Sequence, residues 1–249
     1  MTITSEEELE RLKAIGAICA KARDTMAEAL RPGITTAELD EIGRTVLDEH
    51  GAQSAPEVTY DFPGATCISV NEEVAHGIPG DRVIRLGDIV NIDVSAVRDG
   101  VFADTGASYA VGTPPRQYVG LLRDGKRAMW AGIREVRTGA GLADIGVAIG
   151  RFAKRHGYSL IENLASHGVG DSLHDEPGEI ATWPNKSDRR KIVDGLVFTV
   201  EPFLSLGARW AEAASSRDPW TLVGSPKAQT VQFEHTIVAT PRGAVVVTL

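Results

Sequence analysis

The sequence predicts an α/β protein of two similar halves, with antiparallel sheet at the centre and helices flanking it. Two observations predict this class. The order of elements is helix, helix, strand in the first half, and the same order returns in the second. Landmarks also recur at nearly constant spacing: Pro32-Gly33 corresponds to Thr138-Gly139, Leu39 to Ile145 and His50-Gly51 to His156-Gly157, each 106 residues on. Gly87-Asp88-Ile89-Val90-Asn91-Ile92-Asp93 then corresponds to Gly195-Leu196-Val197-Phe198-Thr199-Val200-Glu201, 108 residues on, so an acid is expected to end the strand of each half. A period this long is an internal duplication, not a solenoid. It predicts one pseudo-twofold domain over residues 1–249, with Asp93 and Glu201 meeting at the axis.

The elements follow from pattern and punctuation. Leu9, Leu12, Ile15, Cys19, Ala22 and Met26 recur at helical spacing, predicting a helix from about Glu6 to Leu30 that Pro32-Gly33 stops. Thr35-Thr36-Ala37-Glu38 is a capping box that opens a second helix ending at His50-Gly51. Apolar runs predict strands at Cys67–Val70 and Ile89–Val97, and the turn signal Arg98-Asp99-Gly100 sends the chain back as Val101–Val111. A second helix pair fits Tyr118–Val136 and Leu142–His156, followed by strands at Leu196–Phe203 and Val231–Ala239.

Bulk properties narrow the class of function. With 43% hydrophobic and 24% charged residues the chain has the composition of a globular protein. A net charge of −8 without a long basic stripe argues against nucleic acid as a specific partner. No apolar run reaches membrane-spanning length, and the first residues show neither the basic nor the apolar region of a signal peptide. Two cysteines, Cys19 and Cys67, make neither a disulfide framework nor a zinc-finger spacing. A cytoplasmic, monomeric protein is expected.

Five residues suited to binding metal stand in unusual local sequences: Asp93, Asp104, His167, Glu201 and Glu234. Asp93 lies inside a strand, with Asp104 across the hairpin. Directly opposed residues share an index sum; the pair sums to 197, whereas a turn centred on Asp99-Gly100 gives 199. In either register the carboxylates project from one face as direct or diagonal neighbours, where they repel unless a cation bridges them. A solvent-exposed acidic face is the plainer alternative. Glu201 precedes Pro202, which holds it extended. Glu234 lies in a β-rich apolar segment with no basic residue close in sequence, which is costly without a partner. His167 is in Ser166-His167-Gly168-Val169-Gly170, where glycines permit close backbone approach to a ligand. His76 and His174 sit in similar loops, Ala75-His76-Gly77-Ile78-Pro79 and His174-Asp175-Glu176-Pro177. Four carboxylates and one imidazole could hold two divalent cations, an arrangement that activates water.

These segments, together with Phe62-Pro63, Cys67-Ile68-Ser69-Val70-Asn71 and Phe233-Glu234-His235-Thr236, resemble the type I methionine aminopeptidases in order and spacing over essentially the whole chain. The resemblance implies the pita-bread fold. It implies Asp93, Asp104, His167, Glu201 and Glu234 as ligands of two divalent ions per chain, with His76 and His174 as substrate-contacting catalytic histidines. It also implies Glu201 as the proton acceptor, and Phe62, Cys67 and Trp220 as walls of the side-chain pocket. Cobalt, manganese, iron and zinc all suit such ligands. The implied reaction is removal of the initiator methionine from nascent polypeptide N-termini, in association with the ribosome, when the next residue is small.

Departures from the family pattern fall at the pocket. Thr59, Ala75 and Leu173 stand where better-known members carry Tyr, Cys and Phe, and Asp175 stands where a glutamate is usual. They predict a roomier pocket. The sequence leaves two alternatives: a prolidase or aminopeptidase P-like enzyme, which shares the fold but usually adds an N-terminal domain, and a pita-bread binding protein without catalysis.

Overall fold

The computed structural model describes residues 1–249. Five helices form: α1 (Glu6–Ala29), α2 (Thr36–Glu49), α3 (Ala55–Tyr60), α4 (Arg116–Ile133) and α5 (Leu142–His156). Capping fixes where the first two begin. Ser5 and Thr35 each accept from the backbone N–H three residues on, and the Glu8 and Glu38 carboxylates reach back to the cap N–H groups. In α1 the predicted stripe faces inward: Leu12, Ile15, Cys19, Ala22 and Met26 are buried and Leu9 packs at the edge of their cluster.

The two halves repeat. In the first, α1 and α2 lie together and α1 covers the hairpin Ile89–Arg98/Val101–Ala110; in the second, α4 and α5 lie together and α4 packs on Val197–Val200 and Thr230–Gln232. Each half has its own apolar cluster, centred on Leu12, Met26 and Ile92 in one and on Met129, Ile149 and Phe198 in the other. Backbone detail repeats as well. Gly33 donates to Ile84 O at 2.9 Å and Gly139 to Ile192 O at 2.8 Å. The three glycine pairs found in the sequence, 33/139, 51/157 and 87/195, all have positive φ, which an L side chain disfavours.

A seam joins the halves. The first sheet holds Gln53–Ser54, Cys67–Val70 and the hairpin; the second is a five-stranded antiparallel sheet that includes Ser166–Gly168, Val197–Val200 and His235–Thr240. Between them Glu234 N donates to Gly106 O at 2.8 Å, and Ala107 bridges Phe233. The Thr236 hydroxyl accepts from Asp104 N and donates to Asp104 O, at 2.9 and 2.7 Å.

The hairpin takes the 199 register, pairing Ser95 with Asp104 and Asp93 with Gly106, so the two aspartates are diagonal neighbours. Three expectations need correction. The first-half strand runs five residues past Asp93 to Arg98, in keeping with the strand predicted over Ile89–Val97 and against the repeat's placing of the acid at its end, because the Asp99-Gly100 turn, positive in φ at both residues, lets it pair along its whole length. The strand expected over Leu196–Phe203 is two, Val197–Val200 and Phe203–Ser205, in different sheets, because Pro202 has no N–H to continue a ladder. The strand expected over Val231–Ala239 likewise breaks at Phe233-Glu234.

Packing against the helices is tight. In α5 a Cβ on Gly146 would lie 2.2 Å from Trp183 O and 2.5 Å from Ala181 O. Helix propensity favours Ala over Gly by about 1 kcal/mol, whereas overpacking a tight contact costs about 1–3 kcal/mol. Gly146→Ala is therefore expected to lower stability in urea unfolding; a stabilised variant would mean the contact with those carbonyls is loose.

Candidate metal centre and adjoining cavity

Each of the five ligand candidates reaches the seam by a separate route. Asp93 and Asp104 come from the hairpin, His167 from Ser166–Gly168, and Glu201 and Glu234 from the two strand breaks. Asp104, His167 and Glu234 each offer a ligand atom, and these atoms lie within 4.8 Å of one another. His167 Nε2 stands 3.8 Å from Asp104 Oδ2 and 3.5 Å from Glu201 Oε2. Asp93 lines the same cavity as these four. All five predicted ligands are thus brought together.

Neighbouring groups hold these side chains in place. The Thr199 hydroxyl accepts from His167 N at 3.1 Å and donates to Glu201 Oε2 at 2.5 Å. A buried amide relay holds Glu234: Asn91 Nδ2 donates to Gln232 Oε1 at 2.8 Å, and Gln232 Nε2 donates to Glu234 Oε2 at 2.9 Å. Residue 106 has no room for a side chain beside this relay, since a Cβ there would lie 2.2 Å from Gln232 Oε1.

The electrostatics of the cluster favour positive charge. Burial, then neighbouring carboxylates, pushes Asp93 and Glu234 well above the usual carboxylate range. Burial raises Asp104 to about 6 and Glu201 to about 8. The His167 imidazole is pushed down to about 3, first by burial and then by His174, so it is neutral and free to ligate. Asp104 Oδ1 and Glu234 Oε1 are buried with no hydrogen-bond partner. An orphaned carboxylate oxygen is costly inside a protein, and two in one cluster of metal-ligand chemistry fit a cation. The oxygen-rich donor set with one imidazole suits a divalent ion.

Beside this cluster opens a cavity of about 360 Å³. Phe62 and Trp220 meet edge to face there, with centroids 5.4 Å apart, and Cys67 and Leu173 complete an apolar wall. The Asp218–Ser225 strand brings Trp220 in by pairing with Glu73–Ala75. His76 follows that short strand at φ 53°, locked because Gly77 N donates to Ser69 Oγ at 3.1 Å and Gly77 O accepts from Ile68 N at 2.9 Å. His174 lines the cavity with its ring 4.2 Å from that of His167. Burial lowers the pKa of both His76 and His174.

The pocket departures read from sequence are corrected in part. Leu173 lines the cavity, but Thr59 is exposed outside it and Ala75 packs with Val74, Ile161 and Phe203. Tyr60, Leu164 and Phe203, which sequence reasoning did not select, do line it. Phe203 could have been found by alternation, two residues beyond Glu201. Tyr60 required recognising α3, which Ser54-Ala55-Pro56-Glu57 announces: Ser54 Oγ accepts from Glu57 N at 3.3 Å, and proline sits in the first turn.

Comparisons agree with this geometry. The profile of metallopeptidase family M24 matches residues 10–241. A methionine aminopeptidase of Staphylococcus epidermidis is 44% identical over 249 residues, covering 100% of this chain and 98% of that protein. The crystal structure of methionine aminopeptidase from Rickettsia prowazekii superposes with a TM-score of 0.94 at 36% identity, each chain covered completely. Prolidase from Pyrococcus furiosus shares the fold at a TM-score of 0.78 and 22% identity, but this chain spans 65% of it. The chain belongs to the metallopeptidase family M24, with the pita-bread fold.

Proposed function

We propose that this protein removes N-terminal methionine from polypeptides whose second residue is small. The observation that carries the reading is the juxtaposition of a largely buried group of four carboxylates and one imidazole with an apolar cavity wall of Phe62, Cys67, Trp220 and Leu173. Aromatic and polarizable groups suit an unbranched thioether. The full-length likeness to the Staphylococcus epidermidis and Rickettsia prowazekii proteins supports the choice over a prolidase.

Asp93, Asp104, His167, Glu201 and Glu234 would hold two divalent ions, drawn from cobalt, manganese, iron or zinc. When bound, such a pair supplies Lewis acidity and a water made acidic enough to ionise near neutral pH. The chain's own groups do the rest. Glu201, hydrogen-bonded through Thr199, takes the proton released as the scissile carbonyl is attacked and returns it to the leaving amine. His76 and His174 lie at the cavity, where their N–H groups can donate to the peptide carbonyl as it gains negative charge. Tyr60 and His174, in contact with each other in the cavity lining, are the groups that would crowd a bulky second residue.

The direct test is hydrolysis of Met-Ala-Ser and Ala-Pro by the protein loaded with each metal in turn. Release of methionine is expected, with little action on Ala-Pro; the reverse preference would replace this reading with the prolidase one. Asp104→Asn and Glu234→Gln should each lower kcat/KM by about 10² or more at saturating metal with the fold retained, because each removes an anionic ligand. Full activity in either variant would remove that residue from the site.

Leu173→Phe tests the pocket. Leucine leaves more room than phenylalanine, so the variant should favour Met over Leu at the peptide N-terminus more than wild type does. A change of about 1–3 kcal/mol in discrimination is the range available to an apolar pocket. Equal discrimination would show that residue 173 does not set the fit.

The raised carboxylates also predict a pH dependence for metal-free protein. Glu201 titrates near 8 when folded against an ordinary 4.5, so the folded state binds more protons between these values. Stability from that difference is present at low pH and lost as pH rises. The buried histidines act oppositely, but only below their ordinary 6.5. Between about pH 6.5 and 8 the melting temperature of metal-free protein should therefore fall with rising pH, and saturating metal should flatten the slope. A metal-free protein that grows more stable over that interval would contradict the assignment.

A further inference from the structure

Tyr60 is the one cavity residue that touches a proposed catalytic histidine through a specific polar contact: its hydroxyl lies 2.6 Å from His174 Nδ1. The rings are 5.6 Å apart and tilted by 53°. We propose that Tyr60 is a positioning residue that holds His174 in the tautomer with its proton on Nε2, leaving Nε2–H to donate to the substrate carbonyl. This rests on the aminopeptidase reading for its consequence in catalysis, though not for the tautomer itself.

The chemistry of the contact sets its direction. Of the two partners the phenol is the stronger acid and the neutral imidazole nitrogen the stronger base, so Tyr60 donates and Nδ1 accepts. A neutral imidazole that accepts at one nitrogen must carry its proton on the other. No protein group bonds His174 Nε2, which is therefore left for a ligand. With the opposite tautomer Nε2 would be a bare lone pair, unable to stabilise negative charge on a carbonyl oxygen.

The fold supports both ends of the contact. Tyr60 is the last residue of α3, and Asp61 caps that helix in the left-handed conformation at φ 54°. Arg44 of α2 pins α3 through a two-point bond to Glu57, at 2.6 and 3.0 Å. On the other side Ser172 Oγ donates to His174 O at 2.8 Å. Tyr60 is 42% exposed, too open for a core role, so a purely structural function explains its placement poorly.

The test is Tyr60→Phe in zinc-loaded protein with ¹⁵N-labelled histidine. Long-range proton–nitrogen spectra report directly which ring nitrogen carries the proton. Wild type should show His174 protonated on Nε2, and the variant a mixture of tautomers. On Met-Ala-Ser the variant should lose about 10- to 100-fold in kcat, the usual cost of removing a group that orients a histidine, with KM within a few-fold and metal content unchanged. An unchanged melting temperature would separate this from misfolding. A wild-type His174 protonated on Nδ1, or a variant with unaltered tautomer and kcat, overturns the proposal. If wild type has the expected tautomer but releases no methionine, the aminopeptidase reading fails while the tautomer assignment stands.

Discussion

Four carboxylates gathered in one cluster, three of them buried and Asp93 half-buried, are the constraint on which this structure turns. Like charges at such distances repel by several kcal/mol even at the intermediate dielectric of a protein edge, and burial adds a desolvation cost to each. The cluster can persist only if protons or cations occupy it. The raised carboxylates at Asp93, Asp104, Glu201 and Glu234 and the two orphaned oxygens are consequences of that one fact, whereas burial and the neighbouring His174 keep His167 neutral. Protons relieve the repulsion but leave carboxyl oxygens unpaired; cations would relieve both.

The architecture spreads this burden across the seam. The first half contributes Asp93 and Asp104, the second His167, Glu201 and Glu234, so neither half holds the site alone. The same seam carries the bonds that keep the acids in place, from Thr236 to the Asp104 backbone and from Asn91 through Gln232 to Glu234. Where Glu201 and Glu234 enter, the sheet is interrupted, which turns these carboxylates out of the ladder and toward the cavity. Shape and charge then combine: an apolar wall ends at a polar cluster, as a site for an N-terminal residue with an apolar side chain requires.

Much of this was legible in sequence because it is written in local chemistry. The capping box at Thr35 obeys short-range rules, and the duplication shows through glycines that need positive φ in both halves. The hairpin turn fixed the parity of Asp93 and Asp104 before their exact register was known. What escaped the sequence depends on long-range assembly or on very short elements. The six-residue α3 is too brief to show a periodicity, so no sequence pattern separates Tyr60, which lines the cavity, from Thr59, which is exposed outside it. Trp220 reaches Phe62 only because its strand pairs with Glu73–Ala75, about 145 residues earlier in the chain, a pairing that no local pattern specifies. The breaks beside Glu201 and Glu234 were hidden for a different reason: continuous β-forming residues outweighed one proline and one buried acid.

The central claim is that cations replace protons in the buried carboxylate cluster. It is tested most directly by titrating metal-free protein with manganese at pH 7 in two buffers of different ionisation enthalpy and counting the protons released by calorimetry. Glu201 near 8, with Asp93 and Glu234 also raised well above the ordinary carboxylate range, predicts release of at least one proton per chain at that pH, declining as pH is raised. Tight manganese binding with no proton released at pH 7 would mean that the carboxylates are already ionised without metal, and would contradict the account.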